Sequence, residues 1–388
     1  MKILIATTSF PRNREDYGGI FVYHLATHLA KKGVKVKVVA PSCGNLESIT
    51  GDFNGIEVKR FRYFLKKWEM LFCRGGGALP MMKKYPLLKL LLPFSLIAYM
   101  IAIFKHSRDV DIILAEWTIS GFVAIPAKVF HKKKLVVSLL GSDMMKAKSS
   151  PVYRLITKLT FKYADRITSV SRRMVDEAKE IGASIEKMLF LPYGTLDEFL
   201  SIPRKPPKKP YTLLYIGNLI PLKNVDVIIK ALSLLPEYYI LKIVGDGPYR
   251  KQLEELVKSL GIEGRVEFVG RVPHNLISRY LAKSHALILV SSSEGRPNVV
   301  LEALASGLPV IVSDIPGNRE LVEDGKNGII VPLNSPEHLS KSIQSLFEEQ
   351  EKWQEFSRKG REFVIREGLT WTDTARKHVK LFDELLKV

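Results

Sequence analysis

Cysteine is nearly absent. Cys43 and Cys73 are the only two in the chain, too few for a disulfide framework, so reduced thiols in a reducing interior are the simpler expectation. A secretory leader is also missing: the apolar run in MKILIATTSF is about five residues and carries the β-branched Ile3 and Ile5, which reads as a first buried strand and a cytosolic chain. The fifteen uncharged residues from Leu90 to Phe104 fall short of the roughly 20 that span a bilayer, and Pro93 interrupts them, so this run reads as a buried helix. Acid is what the first half lacks. Residues 1–200 hold 32 Lys/Arg against 17 Asp/Glu, residues 201–210 add four more basic residues, and residues 211–388 carry 23 of each. The whole formal charge of +19 therefore sits in the first half and the segment that follows it. One half is suited to an anionic surrounding, the other to a neutral one.

What is present suits two domains of about 150–200 residues each. SIPRKPPKKP, residues 201–210, has four prolines in ten positions; it can join neither helix nor sheet and reads as a stiff linker. On each side strand and helix alternate. Before it come KILIAT, the helical FVYHLATHLAKKG, VKVKVVAP, DIILAEW, KLVVSLLGSD and RITSVS; after it come TLLYIG, NVDVIIKALSLL, YILKIVGDG, VEFVGRV, HALILVSS and LPVIVSD. Short Val/Ile/Leu runs separated by helices mark parallel sheets covered on both faces. The expected fold is α/β: two doubly wound, Rossmann-like domains with a cleft between them, residues 1–200 and 211–370. A C-terminal helix, residues 371–388, is expected to cross back to the first domain.

The stretch SSSEGRPNVVLEALASGLPVIVSD carries the chemistry. Gly295 and Pro297 fix a turn, Asn298 can cap a helix running to about Ser306, and Gly307 is its left-handed stop. The free N–H groups and dipole of that helix form a site for phosphate. Glu294 lies in the loop before it and Glu302 about one turn inside. Carboxylates beside an anion site make sense when the ligand also carries hydroxyls, which they accept from. The residues ask for a phosphate attached to sugars.

EGRPNVVLEALASGLPVI resembles the Glu-x7-Glu signature of the large retaining glycosyltransferase group with the GT-B fold, family 4. YIGNLIPLKNVDVIIKAL resembles the donor-side segment of that group, VGDGPYRKQLEEL its Gly-x-Gly-Pro loop, FVGRV the strand end that lines the base, and FPRNREDYGGIFVYHLATHLAKKG the Gly-Gly loop and first helix of the acceptor domain. The resemblance covers essentially the whole chain in order. It implies that Glu294 contacts the transferred sugar and Glu302 the ribose hydroxyls. Lys223 neutralises the diphosphate, cradled by backbone N–H groups of Arg296, Pro297, Asn298 and Val299 (proline itself contributing none). Asn218 and Val272 line the donor, and Gly18 and Gly19 let backbone approach the phosphates across the cleft. Lys223 and the helix terminus supply the positive charge, so neither a metal nor another cofactor is expected.

Two positions depart from the family pattern. Asn218 stands where many members have arginine, leaving Lys223 to act with less help or with Arg296. Leu140-Gly141-Ser142-Asp143 stands where many read His-Gly-[Ser/Thr]-Asp. Leucine donates no hydrogen bond, so Ser142 and Asp143, or His24 on the first helix, are the acceptor-side candidates, and a catalytically silent relative is one alternative. Asp109-Val110-Asp111 looks like a metal motif but immediately precedes IILAEW and reads as a strand-start turn.

Between Arg60 and Lys89 there are eight basic residues and one acid, Glu69, interleaved with aromatic and apolar residues. That mixture suits a peripheral hold on an anionic membrane face, which implies a lipid-linked or polysaccharide acceptor presented there. A nucleotide-sugar epimerase shares the architecture but needs no acceptor; the Gly-Gly loop and basic face point to transfer. A nucleic-acid binder would carry its basic charge on a recognition element, and none is present. GDP-mannose and a UDP-hexose both remain open as donors.

Overall fold

Runs dense in isoleucine, valine and leucine become strands buried on both faces, as covered parallel sheets require. In the computed structural model, which describes residues 1–13, 16, 18–44, 50–72 and 78–387, they form two sheets. The first contains β1 (Lys2–Ala6), β2 (Lys35–Pro41), β3 (Gly51–Phe53), β4 (Ile56–Phe61), β5 (Ile112–Glu116), β6 (Lys134–Leu139), β7 (Arg166–Ser169) and β8 (Met188–Phe190), in the order β3-β4-β2-β1-β5-β6-β7-β8. The second contains β9 (Tyr211–Ile216), β10 (Tyr239–Val244), β11 (Val266–Gly270), β12 (Ala286–Leu289), β13 (Val310–Ser313) and β14 (Ile329–Val331), in the order β11-β10-β9-β12-β13-β14. All pairings are parallel except β3 with β4. That exception is a hairpin turning on Asn54 and Gly55, both at positive φ, as its two-residue turn demands.

The second sheet reads 3-2-1-4-5-6 in chain order, the doubly wound arrangement in which strand order reverses between the first and fourth strands. Here the reversal falls between β9 and β12. The loops leaving their carboxyl ends face a crevice that no crossover covers. The first sheet reverses in the same way between β1 and β5.

The chain divides into Met1–Tyr193 with Trp371–Val388, and Gly194–Thr370. The helix Trp371–Leu386 packs on the helix Ile20–Lys31, with the Trp371 ring against His24 and His28. The division falls earlier than the expected 200/211 boundary, and residues 201–210 belong to the second unit. They are strapped down rather than free: Arg204 donates to the carbonyls of Leu281, Ser284 and Ser306. Cys43 is disulfide-bonded, which corrects the expectation of reduced thiols. Cysteine count argues against a framework of bridges but says nothing of a single one; Cys73 lies outside the described residues.

A second correction concerns Leu90 to Phe104. The helix Leu92–His106 buries only Ser95, Tyr99 and Ile103, while Leu90, Phe94, Ile97 and Ile101 are 54–69% exposed. One of its faces packs on the sheet and the other faces outward, so hydrophobicity on both sides did not bury it.

Backbone crossings near the carboxyl ends of β9 and β10 demand glycine. Gly245 has φ +140, and a Cβ there would stand 1.9 Å from the Gly217 carbonyl oxygen. Gly245→Ala is therefore expected to lower unfolding stability by about 3 kcal/mol or more, since strained φ and a backbone clash add. Denaturant titration of the purified variant checks this.

Candidate active site

Three loops at the carboxyl edge of the second sheet carry the donor-side residues. The loop after β9 closes in a 3-10 turn, Pro221–Lys223, ended by Asn224 in the left-handed region. Asn224 Nδ2 donates to the Val290 carbonyl at 3.0 Å and to Ser292 Oγ at 2.8 Å, and the Ser292 N–H donates to the Leu222 carbonyl at 2.9 Å. These bonds stitch the turn to the loop after β12, across the point where strand order reverses. Lys223 and Glu294 consequently meet: Lys223 Nζ donates to Glu294 Oε1 at 2.5 Å, with both side chains largely shielded. Sequence reading placed both at one ligand without foreseeing that they pair directly.

Beneath Glu294 lies Gly317, which sequence reading missed. A Cβ on it would stand 2.4 Å from the Glu294 carbonyl oxygen, so the following chain can approach only as glycine. The helix Asn298–Ala305 then begins at Pro297, its N-cap, with no side-chain cap bond. Asn298 is the first helical residue and is exposed, which corrects its expected capping role: proline fixes the entry φ and leaves the terminal N–H groups uncapped. Gly307 has φ +67 and ends the helix as expected. Val299 and Arg296 are half-buried beside it. Burial lowers the Arg296 guanidinium to about 10, against the charge of Glu320, so it stays cationic at neutral pH.

Glu302 is not a solvated helix residue but 8% exposed. Its Oε1 accepts from His274 Nε2 at 2.9 Å. His274 sits in the 3-10 turn His274–Leu276 after β11, two residues past Val272, with its ring against Phe199. Only its place just beyond FVGRV could have flagged it. Burial alone would lower its pKa; the hydrogen bond and charge of Glu302, with the charge of Glu198, outweigh this and raise it. Asn218 is exposed, and its carbonyl accepts from Tyr215 at 3.1 Å.

The first unit has its own cluster at the carboxyl edge, around the reversal between β1 and β5. Gly19, at φ +73, begins the helix Ile20–Lys31, and a Cβ there would stand 2.2 Å from the Ser9 carbonyl oxygen. The Gly18 N–H donates to Asp16. Asp143 is fully buried and its Oδ1 accepts the N–H groups of Leu140, Gly141 and Met144; it shapes this turn, and burial raises it to about 6 against those bonds. Ser142 is exposed. His24 packs against His28 and Trp371 under the C-terminal helix, which is a structural placement. Two residues not foreseen join Asp143: Glu116 at the end of β5, raised to about 8 by burial, and Tyr193, which donates to it at 2.7 Å. Trp117, next in chain, holds φ +65, a strained conformation of the kind that collects at functional sites. Asp109 pairs with Lys37 and Asp111 accepts from the Lys2 N–H. Among the described residues no group of three His, Cys, Asp or Glu side chains could hold a metal.

A pH test follows from His274. Its folded pKa is raised, so its stabilisation is fully present below the unfolded value near 6.5 and is lost as pH rises through the higher folded one. The melting-point advantage of the parent over His274→Gln is expected to be largest in mild acid and to shrink above neutrality. A constant advantage across that window contradicts the pairing.

Comparison with known proteins agrees with the fold. The family described as glycosyl transferases group 1 matches residues 197–363, and a glycosyl transferase 4-like domain matches residues 18–194. An uncharacterized glycosyltransferase of Methanocaldococcus jannaschii is 25% identical over 297 residues, 74% of this chain and 81% of that protein. The N-acetyl-alpha-D-glucosaminyl L-malate synthase of Bacillus anthracis is 27% identical over 245 residues, 60% of this chain and 64% of that one. The structure of Anabaena HepE in complex with UDP superposes with a TM-score of 0.75 at 18% identity, covering 99% of this chain and 100% of that one. The chain belongs to the group 1, family 4 type of glycosyltransferases and has their GT-B fold.

Proposed function

We propose that the protein is a retaining, metal-independent hexosyltransferase that moves a sugar from a nucleotide diphosphate, GDP-mannose or a UDP-hexose, to a lipid-linked or polysaccharide acceptor. It would do so as a peripheral protein at the inner face of the cell membrane. The observation that carries the donor half is the Lys223–Glu294 pair, set at the strand-order reversal beside the uncapped helix terminus at Pro297. In this reading the cation and the row of backbone donors would meet the departing diphosphate, and the carboxylate would meet the sugar hydroxyls. That HepE binds UDP in the same fold supports the choice of donor class.

In this reading Lys223 turns from Glu294 to the diphosphate, and Glu294 turns to the sugar hydroxyls. Glu302, oriented by His274, accepts the ribose hydroxyls. The bond between the anomeric carbon and the phosphate oxygen breaks as the acceptor oxygen bonds to the same face of that carbon. The acceptor proton passes to the departing phosphate oxygen. No side-chain nucleophile is used. Lys223 and the helix N–H groups stabilise the growing negative charge electrostatically, a contribution that commonly dominates such reactions. Arg296, cationic at neutral pH, fills part of the role left by Asn218.

The experiment is a panel of UDP- and GDP-sugars scored for slow hydrolysis, with thermal shift by the free diphosphates. Glu294→Ala is expected to keep or enlarge the thermal shift, since it frees Lys223, and to lose hydrolysis by about 100-fold or more. Glu302→Ala is expected to weaken nucleotide binding about tenfold, the worth of one charge-assisted hydrogen bond. Chelators should leave turnover unchanged. If both variants shift and react like the parent, the site assignment falls.

A further inference from the structure

The proposed function leaves one surface unused. Along Pro86–His106, Leu87, Leu90, Phe94, Ile97 and Ile101 recur at alternating intervals of three and four residues and are 80, 69, 54, 54 and 62% exposed. Their spacing places them on one stripe of the helix. The opposite stripe is Ser95, Tyr99 and Ile103, all buried. We infer that this stripe lies in the surface of an anionic lipid bilayer, with the helix parallel to the membrane plane and its outward side chains at the boundary between headgroups and acyl chains.

Pro86–His106 has 21 residues, and a window of 18 within it has a mean hydropathy of 2.2, enough in length and composition to cross a membrane. The structure argues against crossing. Tyr99 stacks on Phe61 of β4 at 4.8 Å and donates to Ser120 at 3.0 Å, tying the helix along its length to the first unit. A helix fixed to a folded domain on one face and apolar on the other is built to lie in an interface.

The neighbouring segment extends the face. Phe94 meets Phe64 at 5.7 Å, and close in sequence stands Trp68, 51% exposed, an amphipathic ring of the kind that settles at headgroup depth. Exposed Arg62, Lys66, Lys67, Lys84 and Lys89 belong to the same stretch. The only acid from Arg60 to Arg108 is Glu69, and it is 1% exposed, its carboxylate accepting from Ser42 and from the Tyr63 N–H. Arg62 lies 3.7 Å from Glu69, but that stretch offers Lys66, Lys67, Lys84 and Lys89 no further acid. Apolar side chains among such an excess of cations match anionic headgroups over acyl chains. A second copy of this chain would set like charges against each other, which disfavours a self-interface.

This deepens the membrane part of the proposed function and rests on it for the acceptor, but not for the donor grip. The test uses the full chain and flotation with phosphatidylcholine vesicles, with and without phosphatidylglycerol. The parent is expected to float with the anionic vesicles, and high salt should weaken but not abolish this, because the stripe's contribution is not screened. Leu90→Glu with Ile97→Glu, both at exposed positions, is expected to lower partitioning at least tenfold while nucleotide-sugar hydrolysis stays unchanged. Flotation of this variant equal to the parent overturns the inference. So does complete release of the parent by salt, or a parent dimer that ignores vesicles and that the variant dissociates. Flotation that depends on the stripe without hydrolysis of any donor would sustain the membrane face and sink the transferase reading.

Discussion

The contact between Lys223 and Glu294 sets what the second unit can do, because it joins the two loops that flank the strand-order reversal. A partly shielded, charge-assisted hydrogen bond of this kind contributes on the order of 2 kcal/mol. It keeps a cation and a carboxylate in place without a ligand, each satisfying the other. A nucleotide-sugar offers both a better partner at once, diphosphate oxygens for lysine and hydroxyls for the carboxylate. The backbone makes this possible. Asn224 ties the turn to the neighbouring loop, Gly317 permits the following chain to pass under Glu294, and Gly245 lets the loops after β9 and β10 cross. His274 holds Glu302 in a parallel way.

The first unit follows a different economy of charge. Its carboxyl edge holds buried acids, Glu116 and Asp143, raised by burial to about 8 and about 6. Basic residues stand at that edge too, Arg60 donating to the carbonyls of Phe10, Pro11 and Pro41 and Lys146 near Asp143. Further cations lie on the stretch next to the apolar stripe of the helix Leu92–His106. Leu140 leaves this edge without the histidine that the family pattern suggests, and the structure does not move His24 in to replace it, since that ring is packed against Trp371.

Much of the architecture was legible because covered parallel strands are continuous apolar runs, and those runs stand clear in this sequence. Short elements were not. The β3–β4 hairpin carries an Asn54-Gly55 turn, a readable signal that the longer runs overshadowed, and β8 and β14 have three residues each. Glu294 and Glu302 were legible because they flank a helix terminus suited to phosphate, Lys223 only through the family resemblance, and the fold brings Lys223 and Glu294 together. His274 was not legible, since a lone histidine after a strand gains meaning only when folding brings Glu302 to it. Gly317 and Arg204 act through backbone approaches that no local pattern encodes. The run from Leu90 to Phe104 misled because apolar composition alone cannot tell a core from an outward face; the three-and-four spacing of its exposed members held the answer.

The central claim is that Glu294 restrains Lys223 until a diphosphate replaces it. Calorimetric titration of UDP and GDP into the parent, Glu294→Gln and Lys223→Met tests it most directly. The account predicts that Glu294→Gln binds the nucleoside diphosphate several-fold tighter than the parent and Lys223→Met at least tenfold weaker, as loss of about 1.4 kcal/mol entails. Weakened binding in both variants would contradict it, because Glu294 would then be holding the nucleotide rather than the lysine.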